Sequence, residues 1–236
     1  MATQYAFGQI VTNGLVLSLD AADKNSYPGS GTAWNDLSGN NNTGTLQTGT
    51  SYNATNNGNI AFNGTSGYVS TTTNLGANPY PALTYSVWFR TTVAGQKIIG
   101  VENNQTGTAS TTYDRQIYIG SDGKLYYGVF DSAARLITST ITVADNTWRN
   151  VTTVTTGANS ISMYINGVLN VTGTGNGYSS YTTSYIRLGS YLLTSWTNGS
   201  NGYFTGNIAN VQVYNRALSA DEIAQNYNAQ KSRFGL

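Results

Sequence analysis

The acidic side chains are few enough to weigh one by one. The 236-residue chain holds ten carboxylates, only two of them glutamate (Glu102 and Glu222), and neither histidine nor cysteine. Hydrolysis of a glycosidic bond needs two carboxyls facing each other across it. In a β-sandwich these would come as a close-set acidic pair on one strand, and no strand-like segment here carries one. Asp20 and Asp23 come nearest but fall where a turn begins, and there Asp serves the backbone through Asx hydrogen bonds. Metal sites built on cysteine or histidine, and a Ser-His-Asp triad, lack their residues. The chain reads as a non-enzyme.

Two binding chemistries remain. Calcium takes several hard oxygens, and the segment 36–42 (DLSGNNN) is rich in them. Asp20, Asp23 and Asp36 are therefore the candidate calcium ligands, although plain Asx/Gly turns use the same residues, and no cofactor is required. The second chemistry is aromatic. Between positions 178 and 203 stand Tyr178, Tyr181, Tyr185, Tyr191, Trp196 and Tyr203, interleaved with Asn, Ser and Thr. Sugars stack their C–H faces on such rings while amides and hydroxyls bond their hydroxyls. Residues 192–202 read as a long loop, the kind of segment that carries function. Tyr178, Tyr181, Tyr191, Trp196, Asn198 and Asn201 are the candidate glycan- or partner-binding residues. Tyr and Trp also anchor protein interfaces, and the same rings serve equally as core.

These residues must be positioned by short strands. Leu83, Tyr85, Val87 and Phe89 alternate with Thr84, Ser86, Trp88 and Arg90, the period of a strand with two unlike faces. Ile161, Met163 and Ile165 repeat the pattern and run into Asn166-Gly167, which predicts a type I′ hairpin into 168–172. Asp122-Gly123 plays the same part between 116–119 and 124–130. Further strands are expected at 15–20, 97–101, 135–140, 148–155, 185–188 and 208–214. The three prolines, at 28, 79 and 81, lie outside all of them. A helix is expected after Ser219, where Ser219 and Glu222 fit a capping box and Asp221 and Glu222 favour the positive end of the dipole. Ile223, Ala224 and Tyr227 give that helix an apolar stripe, and Lys231 and Arg233 fall near its negative end. The whole is expected to be an all-β, two-sheet antiparallel β-sandwich with one short C-terminal helix. Residues 1–13 would form an N-terminal arm or edge strand and residues 14–236 a single domain, with no linker or repeat.

Composition narrows the partners. Only 9% of residues are charged and the net charge is +1, against about 25% charged in an ordinary soluble protein. Nothing here neutralises a run of phosphates, so no nucleic acid is expected as partner. No apolar run is long enough for a membrane span, and the first residues lack the basic start of a signal peptide.

The segments GLVLSLDAADKNSYPGSGTAWNDLSGNNNTGTL (14–46), FNGTSGYV (62–69), TYSVWFR (84–90), WRNVTTVTTGANSISMYINGVL (148–169) and GYFTGNIANVQVYNRALSADEIAQNYNAQKSRFGL (202–236) resemble laminin-G-like (concanavalin A-like) jelly-roll domains, in order and spacing, over nearly the whole chain. The LDAADKNSYPGSG and terminal RFGL segments are most similar to domains of structural proteins of tailed bacteriophages, of the cyanophage type. The resemblance implies a curved sandwich whose concave face or rim loops bind glycan, often with calcium. Family members commonly carry an acidic pair where this chain has Ala209 and Asn210, which speaks against calcium held by that strand. It also implies a virion protein, as a capsid decoration, head fibre or tail-associated module with glycan adhesion. Its partners would be other virion proteins and host surface polysaccharide, with a homo-oligomer among the expected assemblies. The alternative is a free-standing carbohydrate-binding lectin-like module.

Overall fold

Alternation of period two becomes sixteen strands in the computed structural model, which describes residues 9–74, 82–130, 133–175 and 183–236. In chain order they are β1 (Leu15–Asp20), β2 (Ala33–Trp34), β3 (Gly44–Leu46), β4 (Thr50–Asn53), β5 (Asn59–Asn63), β6 (Val69–Asn74), β7 (Leu83–Arg90) and β8 (Lys97–Glu102). There follow β9 (Tyr113–Ile119), β10 (Lys124–Phe130), β11 (Ala134–Thr142), β12 (Arg149–Thr155), β13 (Ile161–Ile165), β14 (Val168–Gly173), β15 (Tyr185–Leu188) and β16 (Thr205–Tyr214). One helix, α1 (Ala220–Gln230), and a 3-10 turn at Lys231–Phe234 close the chain.

All the pairings are antiparallel, and they build two eight-stranded sheets. The first runs β14-β13-β12-β7-β16-β5-β4, with β1 paired to the far half of β16. The second runs β11-β10-β9-β8-β15-β6-β3-β2. Asn166 and Gly167 both take positive φ, 51° and 76°, as a type I′ turn requires. The sheets meet face to face over one interior that includes Leu17, Leu19, Val87, Phe89, Ile117, Tyr127 and Val211. On one side the edge strands β11 and β14 close the sandwich, where Asn170 accepts from the Thr140 amide at 3.0 Å and donates to its hydroxyl at 2.8 Å.

The outward faces are covered too. Trp88 points away from Val87 and Phe89, and stacks on Phe234 (4.1 Å) and Tyr227 (5.6 Å). Its indole N–H donates to Gln230 Oε1 at 2.7 Å. The expected capping box holds: the Ser219 hydroxyl accepts from the Glu222 amide, and the Ser219 amide donates to Glu222 Oε2 at 2.8 Å. Lys231 is the C-cap of α1, at its negative end as expected, whereas Arg233 lies beyond it in the 3-10 turn. Arg233 instead folds back to Asp20 Oδ1 (2.6 Å), the Asn56 carbonyl (2.7 Å) and the Gly58 carbonyl. Residues 9–13 lie along α1: the Val11 amide donates to Asn226 Oδ1 at 2.8 Å, and Tyr214 donates to the Val11 carbonyl at 2.9 Å. The rest of the expected arm lies outside the described residues. No helix among the described residues is long and apolar enough to cross a membrane.

Candidate functional site

The outward face of the second sheet carries the aromatic chemistry. Along β10 the interior takes Leu125, Tyr127 and Val129, so Tyr126, Gly128 and Phe130 face out. Over them lies the loop 189–204, whose Leu193 and Trp196 pack on Tyr118 and Tyr126. The Trp196 indole rests above Gly128, the one position on this face of β10 with no side chain to hold it off.

The loop is stapled along its length. Asn201 accepts from the Leu193 amide at 2.8 Å and donates to Thr194 Oγ1 at 2.6 Å. Asn198 donates to the Tyr126 hydroxyl at 2.7 Å, and its carbonyl accepts from the Ser121 amide at 2.8 Å. Tyr118 donates to the Thr197 carbonyl at 2.7 Å and Tyr113 to the Thr194 carbonyl at 2.6 Å. Burial pushes the Tyr113 phenol up, which keeps it a donor.

A buried ionic cluster ties down the start of the same loop. Glu102 receives the Lys97 ammonium and the Ser190 hydroxyl (2.5 Å) on Oε1, and Arg187 Nη1 (2.5 Å) on Oε2. Lys97 also donates to the Leu192 carbonyl at 3.2 Å. Glu102 and Lys97 are 1% and 0% exposed. Burial alone would raise the Glu102 pKa, but Lys97 and Arg187 outweigh it and hold the carboxyl below its ordinary value. Glu102 is thus a structural anion. Glu222 is spent on its cap and on Arg216, which it meets at 2.8 and 2.5 Å.

Between loop and sheet opens a cleft of about 350 Å³ walled by Tyr113, Phe130 and Trp196, with Thr111, Thr112, Thr194 and Ser195 at its rim and Ala134 at one side. Phe130 is 41% exposed and Trp196 6%. Ser195 sits at φ 69°, a strained conformation for a residue with a Cβ, held by the turn that presents Trp196. Behind the cleft, Asp114 Oδ1 accepts the amides of Arg115 (2.6 Å) and Phe130 (2.7 Å), and so fixes the end of β10. No charged side chain lines the cleft among the described residues. Such a space offers a flat apolar wall and hydroxyls that both donate and accept.

The sequence candidates distribute unevenly. Trp196 lines the cleft. Asn198 and Asn201 lie in the same loop but are engaged in holding it. Tyr191 is on the loop's other flank, tilted against Tyr203 at 5.6 Å. Tyr178 and Tyr181 lie outside the described residues. Thr111, Thr112, Tyr113, Phe130 and Ala134 were not among the candidates; the outward register of Phe130, two positions past Gly128 and four past Tyr126, is the signal that points to it.

The three calcium candidates are not brought together, and no cluster of three or more acidic side chains occurs among the described residues. Asp20 pairs with Arg233 and accepts from Asn210 Nδ2 at 3.1 Å. Asp36 accepts the amides of Ser18 (2.8 Å), Ser38 (2.9 Å) and Asn42 (2.9 Å) and the Ser38 hydroxyl (2.7 Å). Asp23 accepts the Asn25 amide at 2.8 Å. Asp36 thus holds the segment 36–42 as a hydrogen-bonded turn.

Two antiparallel sheets packed face to face define a β-sandwich of the jelly-roll class. The chain belongs to the family Laminin_G_3, the concanavalin A-like lectin/glucanases superfamily, whose profile matches residues 63–224. No curated protein sequence matches the chain significantly. Among solved structures, it is similar to domain 4 of AbnA, a GH43 extracellular arabinanase from Geobacillus stearothermophilus, solved in complex with arabinotriose. The identity is 16% over 90% of this chain and 98% of that one, with TM-score 0.66. It is also similar to the botulinum neurotoxin serotype D ligand binding domain in complex with N-acetylneuraminic acid (16% identity, 93% of this chain, 52% of that one, TM-score 0.69). A third is the binding domain of Paraclostridial Mosquitocidal Protein 1 (18% identity, 92% and 52%, TM-score 0.66). The chain spans about half the length of the toxin domains. At these identities the likeness speaks for the fold.

Proposed function

We propose that this domain is a non-catalytic carbohydrate-binding module that seats a neutral sugar ring in the cleft between β9, β10 and the loop 189–204. The observation that carries it is the pairing of exposed Phe130 with Trp196 across a space rimmed by four hydroxyls. The rings would take the C–H face of the sugar and the hydroxyls its equatorial oxygens. The described lining of aromatic rings and hydroxyls suits an uncharged saccharide. Two solved structures of similar fold hold saccharides, neutral arabinotriose in one and acidic N-acetylneuraminic acid in the other, which supports saccharide binding in general. With Glu102 and Glu222 both committed elsewhere, no pair of carboxyls faces the cleft among the described residues.

Calorimetric titration with neutral oligosaccharides tests it. Phe130→Ala should weaken binding about tenfold, as for a contact residue at a hot spot. It should leave thermal stability nearly unchanged, because this ring is largely outside the core. Equal affinity in the variant, or no binding to any neutral glycan at millimolar concentration, would remove the proposal.

A second reading places the domain on a virion, where it would bind other virion proteins and bring the cleft to host surface polysaccharide. It is supported by the phage-type sequence segments and by the edge strand β14, whose Val168 and Leu169 are 69% and 51% exposed. Exposed apolar side chains of this kind invite contact with a neighbour. Electron microscopy of particles bearing the chain should find β14 against a second polypeptide; a β14 edge facing solvent in assembled particles argues against it.

A further inference from the structure

At the opposite edge of the second sheet lies another groove, of about 650 Å³, between the loop that follows Tyr27 and the segment joining β3 to β4. Four strand spacings separate β3 from β9, so this groove is about 20 Å from the cleft. Its floor is rigid. The Tyr27 ring is buried, packs against Tyr52 at 5.3 Å with the planes 32° apart, and donates its hydroxyl to the Gly31 carbonyl at 2.8 Å. Tyr52 is the half-buried partner and so the ring a ligand meets. The Lys24 ammonium stands over that ring, 5.6 Å from its centre.

Lys24 is exposed and pairs with no carboxylate among the described residues, and its neighbour Asp23 is engaged by the Asn25 amide. Gly29 takes φ 98°, and the space where a Cβ would stand lies 3.3 Å from Lys24 Nζ and 4.0 Å from Tyr52 Cε1. That empty position touches a cation and an aromatic face at once. In a chain with so few charges, an uncompensated ammonium beside a stacking ring selects its ligand by charge.

We infer that this groove is a second saccharide site, for an acidic sugar whose carboxylate draws Lys24, at the groove's margin, off the Tyr52 face while the sugar ring takes that face. It is independent of the cleft and takes a different substrate class. Oligogalacturonate and its methyl-esterified form share a shape and differ in charge, which makes them the probes for calorimetry and backbone NMR. The acidic oligomer should shift the amides of 29–32 and 45–52. Its affinity should fall at least fivefold with Lys24→Gln, with Tyr52→Ala, or on esterification, and should be unchanged by Phe130→Ala. Lys24→Gln alters only an exposed side chain, so loss of fold does not confuse that result. Unchanged affinity in Lys24→Gln, shifts confined to the cleft, or no binding at millimolar oligomer would overturn the site. Loss of neutral-sugar binding bears on the cleft alone, so the two readings fail separately.

Discussion

Glu102→Ala is expected to cost about 3–5 kcal/mol of folding stability, the penalty for leaving buried charge without its partner. The reason is the number of groups that depend on one carboxylate. Lys97, Arg187 and Ser190 all donate to it, and Lys97 and Arg187 have no room to turn to water. Urea unfolding of wild type and variant measures the loss; a difference below about 1 kcal/mol would show that the cluster contributes little net stability. The damage should start locally. Ser190 and the Leu192 carbonyl are where the cluster grips the loop, so amide exchange at 190–196 should rise before that of β7 or β12.

The same carboxylate predicts an acid limb. Its folded pKa lies below the ordinary value of about 4.3, so the unfolded chain binds the proton more readily. Its stabilisation is present above that value and is lost as pH falls through the lower, folded one. Glu102→Gln should flatten this part of the stability curve.

This cluster also shows what the sequence hides. Lys97 and Glu102 are five apart, so a regular strand would put them on opposite faces. Register shifts between Lys97 and Ile99 and between Ile99 and Val101 bring both to the loop side. Composition gives no sign of a bulge, and so the pair that positions the loop was illegible. The strongly alternating strands were legible to the residue: Leu83–Arg90, Ile161–Ile165 and Leu15–Asp20 lie where the pattern puts them. The five strands between Ala33 and Asn74 escape the sequence reading because β2, β3 and β4 are only two to four residues long and β6 (VSTTTN) is a polar run with no apolar alternation. β5 and β6 are held by β16 and β15, a cause that lies more than a hundred residues away, and β4, β3 and β2 pair onto them in turn. At the site, Trp196 could be singled out from its own loop. The outward register of Phe130 was legible on its own strand, but its sharing a cleft with Tyr113 and Trp196 was not, since only the sheet brings 113, 130 and 196 together.

Gly128→Ala is expected to open the cleft while leaving the sandwich intact. A Cβ on Gly128 would stand 2.0 Å from Trp196 Cζ3, 2.5 Å from Cε3 and 2.7 Å from Leu136 Cδ2. The backbone there accepts alanine without strain, so the whole effect passes through the contact. The indole must lift or the loop must shift, at a cost of about 1–3 kcal/mol in stability for overpacking. Trp34, Trp88 and Trp148 stay buried elsewhere, so a red shift in tryptophan emission reports Trp196. Neutral-sugar affinity should fall about thirtyfold, roughly 2 kcal/mol, if that indole is half of the sugar platform. Gly173→Ala supplies the contrast. Its Cβ would stand 2.5 Å from Ile137 Cγ2, in the interior and away from the loop. It should lower stability comparably and leave both emission and affinity as they are. If both variants bind sugar equally well, Trp196 covers the sheet and does nothing more.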